Sequence, residues 1–472
     1  MSVGLIHRQI RAPRVPLDGS LAYLAVVVGG AGLGVYVGRA GSSLPLVAPV
    51  AVVALVAAAT ITPRAALIVG LAAMALPYTW GPDIPKLGFG MGILVGLLLA
   101  VSQVGGLARF RPTALDVAVT IFAVTPGAII AFQGGPFHIT QWFAPATLFP
   151  YFGFRLVLTA TDARRAFGPA LVAVGVGVSL IGIWEGLSGR NPVVKAGSVI
   201  YGSGGQYITT WNVPDYRDGH LRALSTFGHP IAFGMFLLIP LAFALAGRSR
   251  WNLIAVGVIL AGEVVTYSRG PWIGVVVLVI LLARRRRAIL AAGGLVVAAL
   301  VVGPIHRVLI ESTSASTEPG HNTYYRVGLL SHAIHDITPL GHPLIDLQTA
   351  IPNYPDVTSL LAGTIVQTGA VGLAGLLLIV ALSVSALVEA HRSGDRAYYA
   401  GAAALTAELV GLVAVTLITN YAFFFWALVA YVATAHQAQA LARQATPKSG
   451  AAVGLGAPDG VGPIGAPGTQ TT

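Results

Sequence analysis

Cysteine is missing from this 472-residue chain, and charge is scarce: Asp, Glu, Lys and Arg together make up 10% of it. Without cysteine there is no disulfide, no thiol nucleophile and no Cys-ligated zinc. A soluble globular domain is about a quarter charged. A chain that is 10% charged and 55% hydrophobic falls outside that class, and its apolar surface must be shared with lipid. Acids are scarcer than bases, 17 against 28, which leaves a net charge of +11. That sign also fits nucleic acid, but the arginines are dispersed among apolar stretches and not gathered on one polar domain, so the charge reads as a topology signal. Abundant Ala, Gly, Val and Arg with little Lys fits a GC-rich bacterial genome.

What the chain has in quantity is long apolar runs. Lipid offers no partners to backbone N–H and C=O groups, so a helix of about 20 mostly apolar residues is the unit to look for. Such runs lie near Leu21–Gly38, Leu44–Ile61, Ala65–Thr79, Leu87–Leu107, Ala114–Phe132, Trp142–Ala160, Phe167–Leu187, Ile231–Ala246, Leu253–Tyr267, Trp272–Leu282, Ile289–Ile305, Ser359–Leu387, Tyr398–Ile418 and Phe423–His436. The expectation is an all-α polytopic membrane protein of about 14 transmembrane helices (roughly 12–14). The run beginning at Trp272 is the shortest of the set.

Residues 1–20 carry Arg8, Arg11 and Arg14 ahead of the first run, with no small-residue cleavage site, and read as a cytoplasmic segment before an uncleaved first span. With both termini cytoplasmic, the inner connections hold Arg64, Arg109, Arg111, Arg164, Arg165, Arg248, Arg250, the run Arg284 to Arg287, Arg392 and Arg396. Counting the termini and Arg155, about 19 of the 28 basic residues then fall inside, as the positive-inside rule expects. Arg39 is the main exception. The transmembrane domain spans 21–445, with two large extracytoplasmic loops at 188–230 and 306–357, which are expected to contain short amphipathic helices. Residues 446–472, rich in Gly, Pro, Ala and Thr, read as a disordered cytoplasmic tail. The location implied is the inner (plasma) membrane of a bacterial cell, with the working face outside.

Chemistry-capable residues concentrate on that outer side. The first loop ends in Arg222-Ala223-Leu224-Ser225-Thr226-Phe227-Gly228-His229-Pro230 and enters a span. Pro230 in a first helical turn leaves His229 beside the free N–H groups of a helix N-terminus, an arrangement equally suited to an ordinary cap or to binding phosphate. Next, Ser268-Arg269-Gly270 sits between two apolar runs, with Glu263 one turn deeper. Arg269 is either a cation snorkelling to headgroups or a functional one. Glu263 is either an ion-pair partner of Arg269, a buried protonated acid, or a proton relay. In the second loop Val327, Leu330, Ile334 and Ile337 recur at helical spacing and leave Arg326, His332, His335 and Asp336 on another face, the pattern of an amphipathic helix on a bilayer surface. His332 and His335 lack a matching cluster of further ligands, so no metal and no cofactor is expected. Pro339-Leu340-Gly341-His342-Pro343 then forms a turn that fixes His342.

Over roughly Arg222 to Gly372 this order resembles the O-antigen ligase and O-antigen polymerase superfamily, bacterial membrane glycosyltransferases dependent on polyprenyl pyrophosphate. The motifs that carry the resemblance are Arg222 with Ser225-Thr226-Phe227-Gly228-His229-Pro230, then Ser268-Arg269-Gly270, then Arg326 through Pro339-Leu340-Gly341, then Gly369-Ala370-Val371-Gly372. Many members carry a His-Asn pair about eleven residues before the last motif, with the His acting as base. This chain has Thr358-Ser359 near that place.

The resemblance implies transfer of a glycan from a polyprenyl-pyrophosphate carrier to the hydroxyl of a glycan or lipid acceptor, as ligase or polymerase, without a metal. The residue inventory fits that chemistry. Arg222, Arg269 and Arg326 are the candidates for holding the pyrophosphate as charge builds on it. His342, His229 and Asp356 are the candidates, in that order, for taking the acceptor proton. Two rivals stand beside this reading. A lipid-linked oligosaccharide flippase or transporter should keep its polar sites at the midplane and show two related halves. A non-catalytic scaffold that holds wall polymer should not need Arg222.

Overall fold

A computed structural model of the chain describes residues 62–76, 90–133, 143–193, 216–217, 220–282, 323–341, 359–413, 415, 417 and 420–445. The described residues are mostly helical. In chain order the helices are α1 (Pro63–Ala75), α2 (Gly90–Ser102), α3 (Ala114–Gln133), α4 (Phe143–Val157), α5 (Thr161–Ser188) and α6 (Pro230–Ala246). They continue with α7 (Arg250–Val264), α8 (Arg269–Leu282), α9 (Thr323–His335), α10 (Leu360–Ser393), α11 (Arg396–Gly411) and α12 (Tyr421–Ala445). A short antiparallel ladder, β1 (Tyr216–Arg217) with β2 (His220–Leu221), precedes α6.

The expected count of about 14 spans is not reached among the described residues. Three helices there, α3, α5 and α10, are long and apolar enough to cross a membrane. Four other apolar helices have 10–17 residues. At 1.5 Å per residue, 17 residues give about 26 Å, short of a hydrocarbon core of about 30 Å. The expected runs Leu21–Gly38, Leu44–Ile61 and Ile289–Ile305 lie outside the described residues, as do 1–20 and 446–472.

The described helices track the apolar runs, α5, α8 and α12 extending past theirs and α2 and α4 lying within theirs. The run Phe167–Leu187 becomes α5, which ends where Gly189 takes a left-handed φ of 68° and donates its N–H to the Glu185 carbonyl. Hydropathy stops at the first polar residues, whereas the hydrogen-bond ladder continues until a residue breaks it.

Helix α6 is apolar around its whole circumference, and every residue from Pro230 to Leu245 is buried, as expected of a helix enclosed by others. It packs against α5, α7, α8, α11 and α12. Peripheral helices do the reverse. Trp184 and Leu187 of α5, Leu253 and Ile254 of α7 and Ile280 of α8 are each more than half exposed, a scatter of outward apolar side chains compatible with contact with lipid. Helices α2 and α4 approach backbone to backbone: a Cβ on Gly153 would stand 2.3 Å from the Gly96 carbonyl oxygen, the small-residue contact that brings helices close.

Hydrogen bonds between helix ends give the described helices two distinct ends. At one, Arg155 of α4 is fully buried and donates from Nε to Asp116 Oδ1 of α3 at 2.9 Å and from Nη2 to Oδ2 at 3.2 Å. It also reaches Thr434 Oγ1 at 3.1 Å and Gln437 Oε1 at 2.8 Å on α12. The Tyr151 hydroxyl and the Thr113 N–H and hydroxyl donate to the same Asp116 carboxylate. At this end Glu389 of α10 meets His436 and Arg443 of α12. Helix direction places Arg64, Arg109, Arg111, Arg164, Arg165, Arg248, Arg250, Arg392 and Arg396 at this same end. The starts of α6, α8, α10 and α12 lie at the other.

Removing one partner of a buried, fully hydrogen-bonded ion pair strands a charge, at a cost of about 3–5 kcal/mol, whereas an apolar replacement of both is near neutral. Asp116→Ala should therefore lower thermal stability in detergent sharply, and Asp116→Leu combined with Arg155→Met should recover most of the loss. Equal melting of Asp116→Ala and the unaltered protein would show the pair to be dispensable.

Candidate functional site

The chain between Leu221 and Pro230 is buried without being helical, so each backbone polar group there needs a partner. Neighbouring elements supply them. Ala223 N donates to Val265 O at the end of α7, 2.9 Å away. Leu224 N and Ser225 N both donate to Glu185 Oε2, at 2.9 and 2.8 Å. The Ser225 carbonyl accepts from Asn191 Nδ2 and the Ser225 hydroxyl donates to Val178 O. The Thr226 carbonyl accepts from Asn420 Nδ2, which also reaches the carbonyls of Met74 and Leu76 at the end of α1. Phe227 inserts among Phe233, Phe236 and Phe424. Gly228 takes a φ of 67°, His229 caps α6 by accepting the Ile231 N–H on Nδ1 at 3.2 Å, and Pro230 opens the helix. Each residue of the Ser225 to Pro230 segment thus has an assigned local task.

Arg222 is held within this frame. It is 3% exposed, and its guanidinium donates from Nε to the Thr266 carbonyl at 3.3 Å and from Nη2 to Ser268 Oγ at 3.0 Å. The acceptors are themselves fixed: Ser268 Oγ donates to the Thr266 carbonyl, and Thr266 Oγ1 donates to the Glu263 carbonyl. Between them Tyr267 adopts a φ of 46°, an uncommon backbone conformation for a residue with a side chain. The structure therefore joins two of the sequence segments singled out above, since Arg222 is bonded to the residue immediately before Arg269. The loops entering α6 and α8 meet here, and near the helix starts Gly234 lies against Pro271.

Two further segments also meet. Gly369 breaks α10 with φ 60° and ψ −150°, and the freed N–H groups of Ala370 and Val371 donate to the carbonyls of Thr338 and Pro339. A Cβ on Gly369 would lie 2.2 Å from the Thr338 oxygen, and one on Gly341 2.5 Å from the Gly369 nitrogen. The turn after α9 is thereby locked onto α10. Along α9 it is Leu329 and Ala333 that bury against Ala362 and Ile365. Val327, Ile334 and Ile337 of the expected apolar stripe stay exposed, so the helix has two apolar sides, one packed on α10. His332 pairs with Asp336 one turn on, at 3.1 Å. The two halves of the site connect through Val415, which lies against Gly270 and accepts the Leu360 N–H.

Arg269 lies in α8 and Arg326 in α9, but the placement of their side chains falls outside the described residues, as do His342 and Asp356. His229 is described, and its Nδ1 serves as the α6 cap. Glu263 is buried with neither carboxylate oxygen hydrogen-bonded among the described residues. At the position where the family resemblance expects a His-Asn pair, Ser359 caps α10 by accepting from Ala362 N and donates to Val413 O. Sequence reasoning missed Glu185 and Asn420. A lone acid in a long apolar helix was the available signal for Glu185, but its partners lie 39 and 40 residues along the chain. No family model matches the chain, and no curated protein matches its sequence.

Glu185→Ala would strand two buried N–H groups at about 1–3 kcal/mol each, and hydrogen exchange should rise at Leu224 and Ser225 before elsewhere. Gly369→Ala meets both the positive φ, about 1–3 kcal/mol, and the overlap with Thr338. Limited proteolysis should then cut between α9 and α10 faster than in the unaltered protein. Unchanged exchange, or an unchanged cleavage rate, would refute the corresponding assignment.

Proposed function

We propose that this chain is a polytopic inner-membrane glycosyltransferase of the O-antigen ligase and polymerase type. It moves a glycan from a polyprenyl-pyrophosphate carrier to an acceptor hydroxyl at the extracytoplasmic face. The observation that carries the reading is Arg222, a buried guanidinium drawn onto Ser268, the residue before Arg269, where the loops entering α6 and α8 meet.

As the glycosidic C–O bond breaks, negative charge collects on the departing pyrophosphate. A cation stabilises that charge most when it is fixed before the reaction, in a site poor in water. Thr266 and Ser268 hold Arg222 in this way, and the positive ends of α6 and α8 add to the field. Arg269 and Arg326 are assigned to the same diphosphate. The orientation follows from charge: arginines crowd the end of the helices opposite Arg222, and the positive-inside rule turns that end to the cytoplasm. The acceptor hydroxyl needs a base, for which the sequence candidates are His342, His229 and Asp356. No cofactor enters the scheme.

The test is genetic and chemical. Deleting the gene should make a surface or wall glycan accumulate on its lipid carrier in the outer leaflet. Arg222→Ala, Arg269→Ala and Arg326→Ala should each fail to restore transfer, with losses of about 10²–10³-fold. Accumulation confined to the inner leaflet would mark a flippase instead, and full rescue by Arg222→Ala would mark a scaffold.

A further inference from the structure

His220 is the exposed imidazole nearest in sequence to Arg222, and the backbone holds it firmly. It lies in β2, paired with Arg217 of β1. Its ring stacks on Tyr267, with centroids 5.1 Å apart and planes 7° from parallel. Tyr267 is the residue with φ 46°, between the two that hold Arg222. His220 and Arg222 therefore clasp consecutive residues, Tyr267 and Ser268, whose Cα atoms are about 3.8 Å apart across a trans peptide. One side chain is exposed and the other is buried. Neither ring nitrogen of His220 has a hydrogen-bond partner among the described residues. His229 differs, because its Nδ1 is occupied as the α6 cap.

We infer that His220 is the catalytic base that takes the acceptor proton, an inference that rests on the glycan transfer proposed above. Three observations favour it over a ring that merely covers Tyr267. Its nitrogens are open on the exposed side. A strained backbone, which proteins retain chiefly where geometry serves function, sets the ring on which it stacks. It also stacks on the residue next to Ser268, which holds the guanidinium assigned to the leaving group, so base and leaving-group cation are tied to one turn.

In the step, the acceptor oxygen forms a bond to the anomeric carbon while the bond from that carbon to the pyrophosphate oxygen breaks. The electron pair of the broken bond stays on the pyrophosphate, facing Arg222. The acceptor O–H proton passes to a ring nitrogen of His220 and is then lost to water. A positioned base of this kind accounts for about 10²–10⁴-fold in rate.

The experiment compares His220→Phe, which keeps an aromatic ring on Tyr267 but cannot take a proton, with His220→Ala, in cells deleted for the gene. The readout is carrier-linked glycan and its transfer rate, at matched amounts of protein in the membrane. The expected result is a 10²–10⁴-fold fall for both variants and partial recovery of His220→Ala, but not of His220→Phe, when imidazole is added to the medium. Wild-type transfer by His220→Phe, in cells where Arg222→Ala accumulates carrier-linked glycan, would overturn the inference and leave the transfer reading standing. A deletion that leaves carrier-linked glycan unchanged would remove the transfer reading and this inference with it.

Discussion

Buried backbone that is not helical has to be satisfied by something other than its own ladder, and in this chain that requirement falls on the stretch from Arg222 to His229. The partners come from far along the sequence. The end of α5 supplies Glu185, the end of α7 supplies the Val265 carbonyl, and the residue before α12 supplies Asn420. An N–H left without a partner in an apolar interior costs about as much as several well-made hydrogen bonds return. The loop can therefore enter the interior only if those helices are in place. Once there, the loop ties them together, so the same bonds that make its burial affordable also set the packing around α6.

A second requirement of this kind acts on α10. A helix interrupted at Gly369 exposes two N–H groups, and the turn after α9 offers two carbonyls at the matching distance. The joint works because both residues at the point of closest approach are glycines, each with a left-handed φ and no room for a Cβ. The pair is a device for docking α9 and its turn onto α10. Val415 links the start of α10, at Leu360, to the start of α8, at Gly270, so the helix that carries the joint is also tied to the turn that holds Arg222.

The helices were largely legible in advance because their cause is local. Runs such as Ala114–Phe132 and Ile231–Ala246 coincide with α3 and α6 to within a residue, since a window of apolar residues is itself the physical reason for the helix. The segments Ser225 to Pro230 and Ser268 to Gly270 were legible as motifs. That Arg222 bonds Ser268 was not, because nothing in either segment names its partner 46 residues away. Asn420 is the extreme case, reaching Met74 across 346 residues. The contact of α9 with α10 was not legible for a related reason. Periodicity finds the apolar arc of Val327, Leu330, Ile334 and Ile337, but that Leu329 and Ala333 are the residues buried depends on Ala362 and Ile365, which lie on another helix. Among the described residues the span count falls short through length: α6 is apolar throughout, yet at 17 residues it is shorter than a typical span, and it is enclosed by other helices.

The two buried arginines of the described structure divide along the same line. Arg155 meets a carboxylate, a hydroxyl and an amide oxygen and is packed against Phe110, and its work is to fasten α3, α4 and α12. The Thr266 carbonyl and the Ser268 hydroxyl, in the turn that begins α8, are among the groups that hold Arg222. A cation set in place before a reaction acts most strongly on a charge that appears only during it. Hydropathy gives both residues the same reading, an isolated cation next to apolar sequence, and it is their place in the fold, among three helices for Arg155 and at the turn into α8 for Arg222, that separates the fastener from the candidate for catalysis.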